Sequence, residues 1–283
     1  MFRATTAPQD PLILQLLPIV TQACEILRAE YRHYCAGDSF AIERKADDSP
    51  VTQADFKVNQ YLTQALAELF DIPLLSEEGE QQRQNWPRFW LLDPLDGTKE
   101  FLHQRPQFTI NLSLVEKQHT IFALLAVPEE EVIYLCPPHQ GLPLKYEAKT
   151  QQWSIFNYPQ STSPVYVGIS QSGQQKQQYQ AYLAALEQYT AFELVKSGSA
   201  YKFCLMLEDQ IDIYPRFHPT YEWDTSAGQC LIERIGGGLI DFQGRPFIYN
   251  QRDSVLNGGF LAYRNLEMKK LALQALGRMS NMH

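Results

Sequence analysis

Phe89-Trp90-Leu91-Leu92 is a wholly apolar run bounded by Pro87 and Pro94, and it is followed at once by Asp93-Pro94-Leu95-Asp96-Gly97-Thr98. A four-residue apolar run between prolines is too short for a helix and reads as a buried strand. Its end delivers Asp93 to a sheet edge. Pro94 stiffens the exit, and a turn at Gly97 and Thr98 brings Asp96 back beside Asp93. Two carboxylates and the Leu95 carbonyl on one short turn are hard oxygen donors, the kind that Mg²⁺ accepts. Gly97 lets the backbone come close to a ligand. The N–H groups of Gly97 and Thr98 would point at an anion if they open a helical turn. The bland alternative is an Asx-type turn in which both aspartates only cap backbone N–H groups. For a lone D-x-x-D that alternative wins; the longer string after a buried strand is more specific.

The rest of the chain has to supply layers around such a strand. Its 283 residues allow two domains of ordinary size or one large one. Pro11 opens a helical pattern with Leu12, Leu16, Ile19, Ala23, Ile26 and Leu27 on one side. A turn-rich connection follows, with Gly37, Asp38, Ser39, Asp47, Asp48, Ser49 and Pro50. A second helix starts at Thr52, where Asp55 three residues on resembles a capping box, and Pro73 stops it. Thr109–Val115, Thr120–Val127 and Val132–Cys136 read as strands. Trp153 to Pro164 reads as the boundary between two halves, 1–160 and 161–283. Beyond it, strands at Val165–Ser170, Phe192–Val195, Ile211–Tyr214 and Leu239–Phe242 alternate with helices at Gln174–Tyr189, Ser199–Leu207 and Thr225–Ile235. The first half therefore reads as α+β and the second as α/β.

Charge and cysteine content exclude several classes. The formal net charge is −8, which argues against a nucleic-acid surface. Five scattered cysteines without a C-x-x-C pair argue against a disulfide framework or a zinc site, and point to a reducing, cytoplasmic compartment. No apolar run approaches the ~18 residues of a membrane span, since Gln15 and Pro18 interrupt Leu12–Val20. No interface pattern stands out, so the sequence sets no oligomeric state.

Further carboxylates stand at Ser76-Glu77-Glu78-Gly79-Glu80 and at Trp223-Asp224-Thr225. Taken alone, the first is a solvated acidic loop, and Asp224 and Asp55 are helix caps. In order along the chain, three blocks resemble the inositol monophosphatase superfamily of Mg²⁺-dependent, lithium-sensitive phosphatases. These blocks are Ser76-Glu77-Glu78, Trp90 to Phe101, and Trp223-Asp224-Thr225-Ser226-Ala227-Gly228 with Gly236-Gly237-Gly238 downstream. The resemblance runs from about Asp47 to Tyr263 and implies a layered αβαβα sandwich. Lys99-Glu100-Phe101 after the Gly-Thr pair, Gly198 to Cys204, and Asp212 to Arg216 are similar to the 3'(2'),5'-bisphosphate nucleotidases in that superfamily.

The resemblance implies removal of the 3'-phosphate of 3'-phosphoadenosine 5'-phosphate by metal-activated water, with two or three Mg²⁺ ions and a small bisphosphate substrate. It makes Glu77, Asp93, Asp96, Asp224 and the Leu95 carbonyl metal ligands. Gly97 and Thr98 would hold the phosphate, and Asp55 would pair with Thr98 to position water. Glu77, Ser199, Lys202 and Arg216 would contact the substrate. One departure is Gln171, which stands where many members carry a basic residue. Inositol monophosphatase or fructose-1,6-bisphosphatase activity on the same fold is the alternative reading. A non-catalytic metal- or nucleotide-binding regulator ranks below it, because the carboxylates and Thr98 are all present. His103 and His218 lack a metal-ligand spacing and read as structural.

Overall fold

The computed structural model describes residues 2–45, 49–79, 86–138, 141–158, 164–171 and 176–280. Asp47, Asp48, Glu80, Gln174 and residues 159–163 of the expected boundary lie outside the described residues. Along the first half run β1 (Phe2–Thr5), α1 (Pro11–Ala36), β2 (Ile42–Arg44), β3 (Pro50–Thr52), α2 (Gln53–Leu69), β4 (Leu74–Ser76), β5 (Arg88–Asp96) and α3 (Thr98–Leu102). Next come β6 (Thr109–Glu116), β7 (His119–Val127), β8 (Val132–Cys136), β9 (Leu144–Glu147) and β10 (Gln152–Phe156). The second half holds β11 (Val165–Ile169), α4 (Gln177–Leu186), β12 (Phe192–Lys196), α5 (Tyr201–Leu207), β13 (Ile213–Arg216), β14 (Thr220–Tyr221) and α6 (Glu222–Glu233). It closes with β15 (Gly238–Ile240), β16 (Leu256–Asn257), β17 (Phe260–Tyr263) and α7 (Leu266–Ser280).

Two sheets carry the fold. The larger has the order β1-β10-β9-β8-β7-β6-β5-β4, and only its β4–β5 edge is parallel. The smaller has the order β12-β11-β13-β17-β15. Strand alternation sends successive side chains to opposite faces. Leu112, Leu124 and Ala126 thus face α1 and α2, while Ala123, Leu125 and Val127 face α5 and α6. Tyr214, Phe260 and Ala262 cover α5 and α6 from the smaller sheet. Ile213, Leu261 and Tyr263 turn the other way, onto α4 and α7. The order of layers is α1/α2, eight-stranded sheet, α5/α6, five-stranded sheet, α4/α7. It is the expected αβαβα sandwich.

Local chemistry sets the helix starts. The Asp10 carboxylate accepts from Leu12 N and Ile13 N at 2.9 and 3.4 Å, Pro11 opens α1, and Gly37 ends it in the left-handed region at φ 81°. α1 runs through Pro18, so this proline is absorbed rather than breaking the element. By length and composition α1 could cross a bilayer, contrary to the sequence reading. Its Leu16, Val20, Ala23 and Leu27 are nonetheless fully buried against α2 and the sheet, which is the pattern of a core helix.

Some boundaries differ from expectation. Trp153–Phe156, read as part of a connection, lies in β10 and pairs with both β1 and β9. β5 continues past Leu92 to Asp96, and α6 begins at Glu222 rather than Thr225. Helices α5 and α6 form the shared middle layer, so the halves 1–160 and 161–283 bury one core between them.

That middle layer leaves no room for side chains at its crossing. A Cβ at Gly228 of α6 would sit 2.1 Å from the Phe203 ring of α5. Alanine in a helix interior otherwise gains about 1 kcal/mol over glycine. Here overlap outweighs propensity, and Gly228→Ala is expected to lower stability by about 1–3 kcal/mol in denaturant unfolding.

Candidate active site

β5 and α6 meet where the acidic residues lie. The β5–β6 register jumps from Asp93↔Asn111 to Asp96↔Thr109, so one extra residue bulges out of β5. The bulge lets Pro94 sit in the strand without breaking its ladder and turns Asp93 and Asp96 toward one space. Asp93 Oδ1 accepts from Leu95 N at 3.0 Å, the Asx-type contact weighed from sequence. Gly97 follows at φ 101°, where an added Cβ would lie 3.0 Å from Ser199 Cβ and 3.2 Å from the Gln107 carbonyl. Only glycine meets both demands.

Asp224 comes from the other half of the chain. It is the third residue of α6, and its Oδ2 accepts from Tyr221 N at 2.9 Å. Asp224 is therefore not the N-cap expected from sequence but the capping-box partner of Tyr221, which is the N-cap, and the same carboxylate also joins Asp93 and Asp96. One oxygen from each of these three carboxylates lies within 4.8 Å of the others. Glu77, just beyond β4, lies near enough to Asp93 for its charge to raise that carboxyl. The Leu95 carbonyl accepts from Thr98 Oγ1 at 3.3 Å, and Thr98 Oγ1 also donates to Asp55 Oδ1 at 3.2 Å. The other oxygen of Asp55 accepts from Thr52 N and Oγ1 at 2.8 and 2.6 Å. That is the expected cap of α2, with one carboxylate oxygen left for Thr98.

Burial and crowding oppose ionisation here. Burial first, then the charges of Glu77, Asp96 and Asp224, holds the Asp93 carboxyl well above its usual range. Burial with Asp96 and Glu77 pushes Asp224 to about 8. Asp96 rises to about 6 through burial, opposed by the Ala200 N–H and by Arg216 and Lys202. Asp55 rises to about 6, mainly through burial. Carboxylates forced together in this way are relieved by a cation, and the donor set is all oxygen. Asp93, Asp96 and Asp224, with Glu77 and the Leu95 carbonyl beside them, fit a divalent metal.

These residues open into a cavity of about 690 Å³. Its wall brings Ser199, Lys202 and Arg216 to the same space, along with Ser170 and Gln171. Lys202 Nζ donates to the carbonyls of Ser197 and Ser199 at 3.0 and 2.9 Å and lies 4.7 Å from the Tyr214 ring centre. It is 1% exposed. Ser199 Oγ donates to the Gln107 carbonyl at 3.1 Å. Sequence reasoning overlooked Lys45, whose Nζ lies 2.6 Å from Glu77 and 2.5 Å from Glu78. It also overlooked Asn111, whose Nδ2 reaches Asp96 at 3.4 Å and the Trp223 carbonyl at 3.3 Å. Neither carried a signal: Lys45 is one cation beside a turn, and Asn111 one polar residue inside an apolar strand.

The geometry agrees with comparison to known proteins. The model of the inositol monophosphatase family matches residues 9–277. The chain belongs to the inositol monophosphatase family. Within it, the chain is 36% identical over 251 residues to the 3'(2'),5'-bisphosphate nucleotidase CysQ of Shigella flexneri, covering 86% of this chain and 98% of that one. The CysQ of Escherichia coli O157:H7 is 36% identical over 250 residues, with the same coverage. The crystal structure of CysQ from Bacteroides thetaiotaomicron, a bacterial member of the inositol monophosphatase family, superposes with a TM-score of 0.75 at 26% identity. That superposition covers 91% of this chain and 98% of the other. An inositol monophosphatase from Zymomonas mobilis shares the fold, with a TM-score of 0.73 at 21% identity.

The sign of the carboxylate effect on stability follows from the shifts. A raised carboxyl pKa means that the folded chain holds more protons than the unfolded one between about 4 and the folded value. Stability from this cluster is therefore lost as pH rises through the folded values of about 6 and 8. Chelator-treated protein is expected to melt at a higher temperature at pH 6 than at pH 8. Asp93→Asn keeps the acceptor for Leu95 N, and should raise the metal-free melting temperature at pH 8 and flatten its pH dependence.

Proposed function

We propose that this chain is a Mg²⁺-dependent 3'(2'),5'-bisphosphate nucleotidase that removes the 3'-phosphate of 3'-phosphoadenosine 5'-phosphate, giving AMP and phosphate. The observation that carries the reading is one cavity with the carboxylate cluster and Arg216 on its wall, in a chain 36% identical to CysQ. Asp93, Asp96, Asp224, Glu77 and the Leu95 carbonyl would hold two or three Mg²⁺ ions. Bound there, the metal neutralises the phosphate, acidifies water and takes charge on the leaving oxygen.

The protein's own groups do the rest. Gly97 and Thr98 place backbone N–H groups at the start of α3, against the scissile phosphate. Thr98 Oγ1 donates its proton to Asp55 Oδ1, so its lone pairs face the attacking water and align it with phosphorus. The water's proton passes to Thr98 Oγ1 as the hydroxyl proton moves to Asp55 Oδ1. An Asp55 raised toward the working pH is a better proton acceptor than an ordinary carboxylate. Lys202 ties Ser197 to Ser199 and so fixes the loop that meets Gly97. Arg216 offers a planar guanidinium to the substrate. The acidic exterior and free thiols, four of them buried, suit a cytoplasmic enzyme acting on a small nucleotide rather than on a nucleic acid.

A substrate panel tests the reading. With Mg²⁺, kcat/KM on 3'-phosphoadenosine 5'-phosphate is expected to exceed that on inositol 1-phosphate and fructose 1,6-bisphosphate by about 100-fold or more, and lithium should inhibit. Preference for inositol 1-phosphate would refute it. Thr98→Val and Asp55→Asn should each lower kcat by about 10²–10⁴ with little change in KM, read from steady-state kinetics. Activity should fall on the acid side as Asp55 takes up its proton. The apparent pKa there should be no higher than about 6, because nearby cations lower it.

A further inference from the structure

Beyond the carboxylate cluster the cavity wall is mostly basic, with Glu100 among Lys99, Lys176, Lys202 and Arg216. Lys176, the residue before α4, and His218, just past β13, both line it, and Lys176 Nζ lies 2.6 Å from His218 Nε2. At that distance one nitrogen donates and the other accepts, so Lys176 carries the charge and His218 the lone pair. The His218 ring also lies against Tyr179, which in turn meets Phe217 edge-on. These contacts hold the imidazole in place.

Among the described residues, the charged groups acting on this pair are all basic. Burial, then Arg216 and Lys99, lowers Lys176. Burial, then Lys176 and Arg216, lowers His218. Arg216 is also underused: its Nη1 reaches only Tyr214 Oη, at 3.4 Å, and its Nε is buried with no partner among the described residues. Lys202, by contrast, is already committed to two carbonyls. Around Lys176 and His218 the neighbouring charges are cations, a local excess that an entering anion relieves, while Arg216 also faces the charges of Asp224 and Asp96.

We propose that Lys176 and His218, together with Arg216, form the subsite for the second, non-scissile phosphate, and that this subsite selects bisphosphates over monophosphates. The assignment rests on the nucleotidase reading and extends it to Lys176, which the sequence did not single out, and to His218, which it placed as structural. A phosphate dianion takes the Nζ–H of Lys176 and frees Nε2 of His218 to bind a proton. Both groups then donate charge-assisted hydrogen bonds. With that phosphate at the basic end, the 3' ester rather than the 5' ester faces Asp93, Asp96 and Asp224.

The test compares 3'-phosphoadenosine 5'-phosphate with adenosine 3'-phosphate, which lacks the second phosphate. Lys176→Gln and His218→Asn keep side-chain size, and matching near-ultraviolet circular dichroism shows that they fold. Each is expected to raise KM for the bisphosphate about 10-fold more than KM for the monophosphate, with Lys176→Arg restoring most of the loss. Equal changes on the two substrates overturn the subsite. Calorimetric binding of adenosine 5'-phosphate against adenosine decides it without turnover. The phosphate should tighten binding to the wild type, and the double variant should lose that gain; no gain in the wild type, or a gain that survives in the double variant, overturns it. Failure of the nucleotidase reading is a separate result, seen when the wild type cleaves inositol 1-phosphate faster than either nucleotide.

Discussion

Mutual repulsion among crowded carboxylates, one buried and the rest half-buried, governs this molecule. Asp93 is 1% exposed, and its neighbours Asp96, Asp224 and Glu77 would all be anions in water. Bringing them together costs stability that an apolar core must offset. Much of the architecture serves that purpose: a bulge in β5, a glycine at φ 101°, a helix end that lends Tyr221 N–H to Asp224, and Ala200 N–H and Asn111 turned onto Asp96. The stabilisation comes from the four apolar clusters among the layers, which reach up to the carboxylates through Leu92, Leu95 and Trp223 and are packed tightly enough to hold them.

The site forms where the two sheets share their middle layer. Asp93 and Asp96 come from the larger sheet, Asp224 from the helix pressed on its face, and Arg216 from the smaller sheet. No half of the chain holds the cluster alone, and the fold between the sheets fixes the spacing of acid and base. Gly228 against Phe203 shows how tightly that layer is set. The cavity wall carries both acidic and basic groups although the protein as a whole carries −8. Local arrangement decides what the site attracts, and a metal held by the acids would let the acidic side accept an anion.

Sequence made the local chemistry legible and left the long-range contacts hidden. Phe89–Leu92 read as a buried strand, Thr52 with Asp55 as a cap, and Val132–Cys136 as a strand, because each depends on neighbouring residues. The continuation of β5 through Pro94 was not legible, since a proline in a strand is tolerated only where a bulge spares its missing N–H. Leu144–Glu147 and Gln152–Phe156 escaped as strands because they are short and half-polar, and only pairing with β8 and β1 makes them so. Asp224 read locally as an N-cap and instead closes a capping box from the third helical position; its meeting with Asp93 and Asp96, which only the family resemblance signalled, needs β5, more than a hundred residues away in the chain. Lys176 and His218 were invisible as a pair because their meeting depends on the packing of α4 against the smaller sheet.

Calorimetric titration of Mg²⁺ into chelator-treated protein near pH 7, in buffers of different ionisation enthalpy, measures the relief of carboxylate repulsion most directly. The account predicts that Mg²⁺ binds with net release of protons, because Asp93 and Asp224 are held partly protonated without it. Asp96→Asn should weaken that binding sharply. Binding of equal strength in the variant, or binding to the wild type without proton release, would contradict it.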